Sequence, residues 1–348
     1  MKALTFTGHE SITFETIRDP EILEASDVII KVKYCAICGS DLHVYHEREK
    51  GIDQHTCMGH EFTGEVVETG KAVKHLKIGD QVISPFTTNC GQCYFCSIGL
   101  TARCEKSQLF GWVQNGVGLQ GGQAEYVRVP LAESTLYTLP DDITYPEALL
   151  LGDVLSTGYF CAHQAEIKPQ LHYGVIGCGP VGLMAICSAF LQGAQHVYAF
   201  DSVHERLNKA SQFGATAIPV DKTDAISFIK EQTFGRGLDA VMDAVGNASA
   251  GKLAYDLVRP GGIISTVGVC TEQHFPFSPT DAYNKNITYK TGRCPARYFI
   301  DQLIPHVCEH RFDLTSVFTH HLPLREGVKG YDIFANKKDH CLKVLLEP

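Results

Sequence analysis

The sequence predicts an α/β protein in two parts, a β-rich part and a doubly wound parallel sheet. Three observations carry that expectation. Residues 1–153 contain short alternating apolar segments broken by Gly and Asp. Residues 154–293 alternate strand-like and helix-like segments. A glycine-rich turn, Gly177-Cys178-Gly179-Pro180-Val181-Gly182, sits at the first clear strand-to-helix junction of that alternation.

In the first part, the N-terminal residues 1–6 read as a strand, and 28–32 and 62–68 alternate as half-buried strands do. Another strand begins after the turn at Gly79-Asp80. The whole reads as a small β-barrel-like domain with long loops. In the second part, 172–177 is a buried strand, 181–191 an apolar helix, 196–201 a strand and 205–213 a helix. Strands at 237–243, 262–268 and 286–290 complete a parallel sheet. The tail ends in an apolar strand at 341–346 that could return to the first domain.

Bulk properties narrow the function. A length of 348 residues supports two ordinary domains, and 44% hydrophobic with 20% charged residues is a globular composition. A net charge of −9 argues against nucleic acid or an anionic membrane as partner. No apolar run approaches the roughly 20 residues a membrane helix needs. Fourteen cysteines in a chain of this length, with no export signal, point to a reducing compartment, taken as the cytoplasm, and to metal rather than disulfides.

Gly177, Gly179 and Gly182 form a G-x-G-x-x-G between a strand and a helix. The first glycine permits a tight turn, the second lets backbone approach a pyrophosphate, and the third lets helix pack on strand. Pro180 and Val181 open the helix, whose free N–H groups suit phosphate. Asp201 closes the next strand, 19 residues after Gly182. It is placed to bind the adenosine ribose hydroxyls, so a Rossmann domain binding NAD rather than NADP is expected. Arg206 is a candidate cofactor contact that would offset some of that negative charge.

Cys90, Cys93, Cys96 and Cys104, spaced C-x2-C-x2-C-x7-C, match closed tetrahedral zinc with a structural role. A second, open site would draw on Cys38 and His60. A catalytic zinc needs three protein ligands and one vacant position. Asp153 is either that third ligand or a helix N-cap. Cys35 reads as a small core residue. Glu61 reads as a group beside the metal, or as a ligand when water leaves.

Cys38-Gly39-Ser40-Asp41-Leu42-His43, Gly59-His60-Glu61, the four-cysteine loop and the Gly177–Gly182 turn resemble, in that order and over essentially the whole chain, the zinc-dependent medium-chain alcohol dehydrogenases. That family is known for a site of two Cys and one His; here Asp153 stands where the second Cys is usual. The segments 151–159 and 121–127 are similar to the formaldehyde-dehydrogenase-like branch, in which an Asp is the third ligand. The resemblance implies a GroES-like catalytic domain of residues 1–153 and 294–348, flanking an NAD-binding domain of residues 154–293. It implies that Asp41 orients His60, that Ser40 touches the substrate oxygen and that His43 passes its proton to solvent. Phe86 would line the substrate pocket. Val245, Val267, Val269 and Arg293 would contact the cofactor, and Lys343 matches a basic residue near it or is a solvated charge.

The expected reaction is reversible hydride transfer between an alcohol and NAD, with zinc favouring the alkoxide. An aldehyde dehydrogenase or dismutase and a polyol dehydrogenase keep the same fold, while a non-enzymatic nucleotide binder would hold one zinc only. A homodimer or homotetramer is the family expectation.

Overall fold

The computed structural model describes all 348 residues, which divide into two compact units: Met1–Ser156 with Pro295–Pro348, and Thr157–Cys294.

The first unit is built on a seven-stranded sheet. The strand Val28–Ile37 is its centre, antiparallel to Phe62–Thr69 on one side and to Lys343–Glu347 on the other, with Tyr126–Val129 pairing its first half. It buries most of its residues, so its sequence Val-Ile-Ile-Lys-Val-Lys-Tyr-Cys-Ala-Ile is nearly continuously apolar rather than cleanly alternating. The return segment therefore enters the interior of the sheet: Val344, Leu345 and Leu346 face Ile37, Ala36 and Cys35. Leu4, Ile30, Ile37, Met58, Phe62, Tyr331 and Val344 share the underlying core. Two helices the sequence reading did not separate, Tyr145–Gly152 and Val154–Gln164, meet at Asp153.

The second unit is a six-stranded parallel sheet in the order Thr216–Pro219, His196–Asp201, His172–Ile176, Leu238–Asp243, Val258–Thr266, Thr288–Thr291. In chain order this is 3-2-1-4-5-6, the doubly wound Rossmann arrangement. The helix Pro180–Leu191 follows the first strand, with Gly179 at its N-cap. No helix in the chain is long and apolar enough to cross a membrane.

Candidate active site

The metal-ligand candidates are carried by different pieces of the first unit. Cys38 follows the long strand Val28–Ile37, His60 lies just before Phe62–Thr69, and Asp153 lies between the two helices. Antiparallel pairing of Cys35 with Phe62 brings the first two together. Asp153 has φ −148° and ψ −79°, a break that ends one helix as the next begins. All three are buried, and one donor atom from each lies within 4.8 Å of the others. Asp153 Oδ2 is 3.5 Å from Cys38 Sγ and 3.4 Å from His60 Nε2. Tetrahedral zinc with ordinary Zn–S, Zn–N and Zn–O bonds puts S···O at about 3.6 Å and N···O at about 3.4 Å. The donors fit that ion.

Electrostatics point the same way. Burial pushes the Cys38 thiol up, and the Glu61 and Asp153 carboxylates push it further. Burial alone would lower His60, but Asp41 and Cys38 more than offset it and raise the imidazole well above its usual range. A buried pocket that disfavours a thiolate and recruits a proton is short of a cation.

Asp41 Oδ1 is 3.2 Å from His60 Nδ1, which leaves Nε2 for a metal. Ser40 Oγ lies 3.3 Å from Cys38 Sγ and 3.2 Å from His60 Nε2, at the edge of the donor cluster. His43 is half-buried on the short helix Asp41–Tyr45, and burial lowers its imidazole from the ordinary value. Its Nδ1 is buried without a hydrogen-bond partner. The Phe86 ring stands edge-on to His60 at 6.4 Å. Glu61 lies near enough to Cys38 to raise its thiol; its Oε2 accepts a bond of 2.6 Å from Lys343 Nζ, while its Oε1 is buried and unpartnered. Burial raises Glu61 to about 7, with Lys343 pulling against it.

Cys90, Cys93, Cys96 and Cys104 form the second cluster, again with donor atoms within 4.8 Å. Backbone N–H groups of Cys90 and Lys106 donate to Cys104 Sγ at 3.1 and 3.3 Å. The N–H of Cys96 is the main cause that lowers Cys93 to about 6, while burial lifts Cys96 to about 12. Four sulfurs with no side chain among them suited to substrate fit a closed zinc site.

In the second unit the three glycines do different work. Gly177 has φ +85°, which only glycine adopts freely here. A Cβ on Gly182 would lie 1.7 Å from the Gly177 carbonyl oxygen, so the helix packs directly on the turn. A Cβ on Gly179 would meet nothing nearer than Arg206 Nη1 at 3.8 Å, so the backbone there faces open space. That open cradle at a helix N-terminus fits a pyrophosphate. Asp201 accepts from Cys178 N–H at 2.7 Å and Val203 N–H at 2.8 Å, and Arg206 Nη1 is 4.0 Å away.

Asp243, not singled out in the sequence, shapes the loops carrying Val245, Val267 and Val269. Its Oδ1 accepts from Val245 and Gly246 N–H, and its carbonyl from Val267 and Gly268 N–H. These loops lie at the carboxyl ends of parallel strands, where dinucleotides bind in such sheets. Arg293 follows the edge strand Thr288–Thr291. Lys343 is not the solvated charge that was the alternative to a cofactor contact: it is 1% exposed and paired with Glu61. An ammonium inside the apolar run Cys341-Leu342-Lys343-Val344-Leu345-Leu346 was the available signal, since a buried Lys needs a carboxylate. Gln123, inside the segment 121–127, is fully buried and its Nε2 donates to Asp41 Oδ2 at 3.1 Å.

The fold and the two donor clusters define a zinc-binding oxidoreductase with a dinucleotide domain. Comparison with known proteins places it further. The family described as alcohol dehydrogenase GroES-like domain matches residues 24–141, and that described as zinc-binding dehydrogenase matches residues 180–307. The chain is similar to zinc-type alcohol dehydrogenase B of Aspergillus flavus, at 39% identity over 96% of this chain and 78% of that protein. An uncharacterised zinc-type alcohol dehydrogenase-like protein of Bacillus subtilis is 36% identical over all of both chains. Among solved structures, alcohol dehydrogenase TADH from Thermus sp. ATN1 superposes with a TM-score of 0.94 at 35% identity, over 100% of this chain and 99% of that one. The chain belongs to the zinc-type medium-chain alcohol dehydrogenase family. It is a zinc-dependent oxidoreductase of alcohols or polyols, acting on small molecules with a nicotinamide dinucleotide of the NAD(P) type.

Proposed function

We propose that the protein interconverts a primary alcohol and its aldehyde using NAD, with Cys38, His60 and Asp153 as catalytic zinc ligands and Cys90, Cys93, Cys96 and Cys104 holding a structural zinc. The observation that carries the reading is the convergence of one thiol, one imidazole and one carboxylate to within 4.8 Å. An Asp as third ligand, with the segment Gly121-Gly122-Gln123-Ala124-Glu125-Tyr126-Val127, favours the formaldehyde-dehydrogenase-like branch over the polyol enzymes.

When bound, zinc supplies Lewis acidity that lowers the alcohol's proton affinity, and NAD accepts the hydride. The chain's own groups do the rest. Ser40 takes the hydroxyl proton, being the hydroxyl nearest the donor atoms. His43 passes it to solvent; its buried Nδ1, lacking a partner in the protein, is free to meet a hydroxyl of a bound ligand. Asp41 keeps His60 in the tautomer whose Nε2 can bind metal. Phe86, edge-on to His60, walls the pocket. Asp201 binds the adenosine ribose and repels a 2′-phosphate, which supports NAD over NADP. The balance is alcohol plus NAD giving aldehyde, NADH and one proton.

The test is a panel of primary alcohols, polyols, hydrated aldehydes and formaldehyde with NAD and with NADP, read by the absorbance of the reduced cofactor. Primary alcohols with NAD should give the highest kcat/KM. A preference for vicinal polyols would move the enzyme to the polyol reading. Aldehyde turnover without net NADH would make it a dismutase.

A further inference from the structure

We propose that Gln123 and Tyr331 are positioning residues for the His60 imidazole, acting through Asp41. This rests on the reading of His60 as a zinc ligand. The observation behind it is an unbroken line of buried hydrogen bonds that runs from the return segment to the site.

Gln123 is fully buried and Tyr331 is 1% exposed. The Tyr331 hydroxyl donates to Gln123 Oε1 at 2.8 Å. Gln123 Nε2 donates to the Ala36 carbonyl and to Asp41 Oδ2, each at 3.1 Å. The amide orientation is forced: both groups facing Nε2 are acceptors only, and a flipped amide would set its oxygen against them. The tyrosine proton is therefore committed to Gln123. Asp41 Oδ2 also accepts from Cys38 N–H at 2.9 Å, so its second oxygen, Oδ1, is the one turned to His60 Nδ1. Each member specifies its neighbour, and the last step leaves the proton on Nδ1 and the lone pair on Nε2.

Gln123 also supports the imidazole's backbone. Gly59, the residue before His60, has φ +92°, and a Cβ there would lie 2.4 Å from Gln123 Cγ. The main chain entering His60 thus rests on the stem of the same side chain whose amide holds Asp41. Gln123 N–H further donates to the Met58 carbonyl at 2.9 Å. One glutamine fixes both where His60 starts and which way its ring faces. Tyr331 comes from the helix Gly327–Ala335 of the return segment, so residues far along the chain set the ligand's geometry without touching the metal.

A packing role alone would be filled by an apolar side chain of similar volume. Gln123→Met keeps the shape and removes both donors and the acceptor. The experiment loads the whole chain, stripped by chelator, with Co2+. Wild type should bind two ions, with a d–d spectrum from the Cys38–His60–Asp153 site. Gln123→Met should weaken that site by roughly 10–100-fold in chelator competition and alter its spectrum, while the four-cysteine site stays loaded. Tyr331→Phe deletes one hydroxyl only and keeps the fold; it should shift the spectrum in the same direction by a smaller amount. The double variant should be no weaker than Gln123→Met, because Tyr331 acts through Gln123. An unchanged affinity and spectrum in both single variants, or additive losses in the double variant, overturns the proposal. Wild type holding one Co2+, at the four cysteines alone, overturns the ligand reading together with it.

Discussion

Lys343 Nζ donates to Glu61 Oε2 at 2.6 Å, and the two side chains are 1% and 0% exposed. The ammonium also reaches the Ile37 carbonyl at 3.3 Å, so it ties the return strand to the strand that leads into Cys38. Burial is the largest single influence and would lower Lys343, but Glu61, Cys38 and Asp153 together raise the ammonium above its ordinary value.

Removing one partner strands a buried charge. Lys343→Met is expected to cost about 3–5 kcal/mol, read from the urea midpoint. Combining it with Glu61→Leu should recover most of that loss, as an apolar pair of similar volume replaces two desolvated ions. Because the folded pKa of Lys343 is raised, its contribution is present below about pH 10.4 and is lost as pH climbs through the folded value. Wild type should therefore lose stability at alkaline pH faster than the double variant.

For Asp153→Asn, the expected outcome is a fall from two zinc ions per chain toward one, with kcat/KM reduced by roughly 100-fold or more. Metal content by emission spectroscopy and initial rates check it together. Full zinc and full rate in this variant would remove Asp153 from the ligand set.

His43 carries a pH signature. Burial lowers its folded pKa, so between that value and the unfolded value near 6.5 the unfolded chain binds more protons. Stability from this group therefore falls as the solution is acidified through that window, and His43→Gln should flatten that limb. In turnover, His43→Gln is expected to be slower near neutral pH and partly restored at higher pH, where hydroxide can take the proton. An unchanged rate profile would exclude it from the proton path.

On the proposed reading, cofactor choice turns on the Asp201 carboxylate. Asp201→Ser removes the charge opposing a 2′-phosphate and leaves Arg206, 4.0 Å from the original carboxylate, free to attract it. The ratio of kcat/KM for NAD to NADP should drop by about 10–100-fold, a change of ~1.4–2.7 kcal/mol in discrimination. Retention of the full NAD preference would place that selectivity elsewhere.

Chelation should act on the four-cysteine loop locally. Metal removal is expected to open residues 90–104 to proteolysis while the far-ultraviolet spectrum of the sheets is kept, since the loop contributes little regular structure. Cys93→Ser should mimic it.

Legibility in the sequence followed distance along the chain. The glycine turn and the four cysteines were readable because each is a contiguous chemical pattern with known spacing. Cys38 and His60 are readable as residue types, and of the strands beside them Val28–Ile37 departs from the expected alternation because both its faces are largely buried. On spacing alone Asp153 is open between cap and ligand, because a helix end and a metal pocket make the same local demand; the family resemblance is what favours the ligand. Lys343 reads only as a basic residue near the cofactor or a solvated charge, not as the partner of Glu61, and Gln123 and Tyr331 carry no sequence signal as neighbours of the site. Their meaning comes from pairing across 282, 82 and 208 residues, which no local period encodes. The helices Ala296–Cys308 and Gly327–Ala335 lie in a tail whose sharpest sequence signal is its apolar final strand.

The placement of Lys343–Glu347 beside Val28–Ile37 has a bearing on biosynthesis. Cys38, His60 and Asp153 leave the ribosome long before the strand that completes their sheet. All strands of the parallel-sheet unit precede residue 292, whereas the slot between Phe318–Pro323 and Val28–Ile37 is filled only by Lys343–Glu347. On the proposed ligand set, the sheet that steadies Cys38 is completed only by the last strand of the chain, so the three donors are expected to reach their final geometry after synthesis has ended.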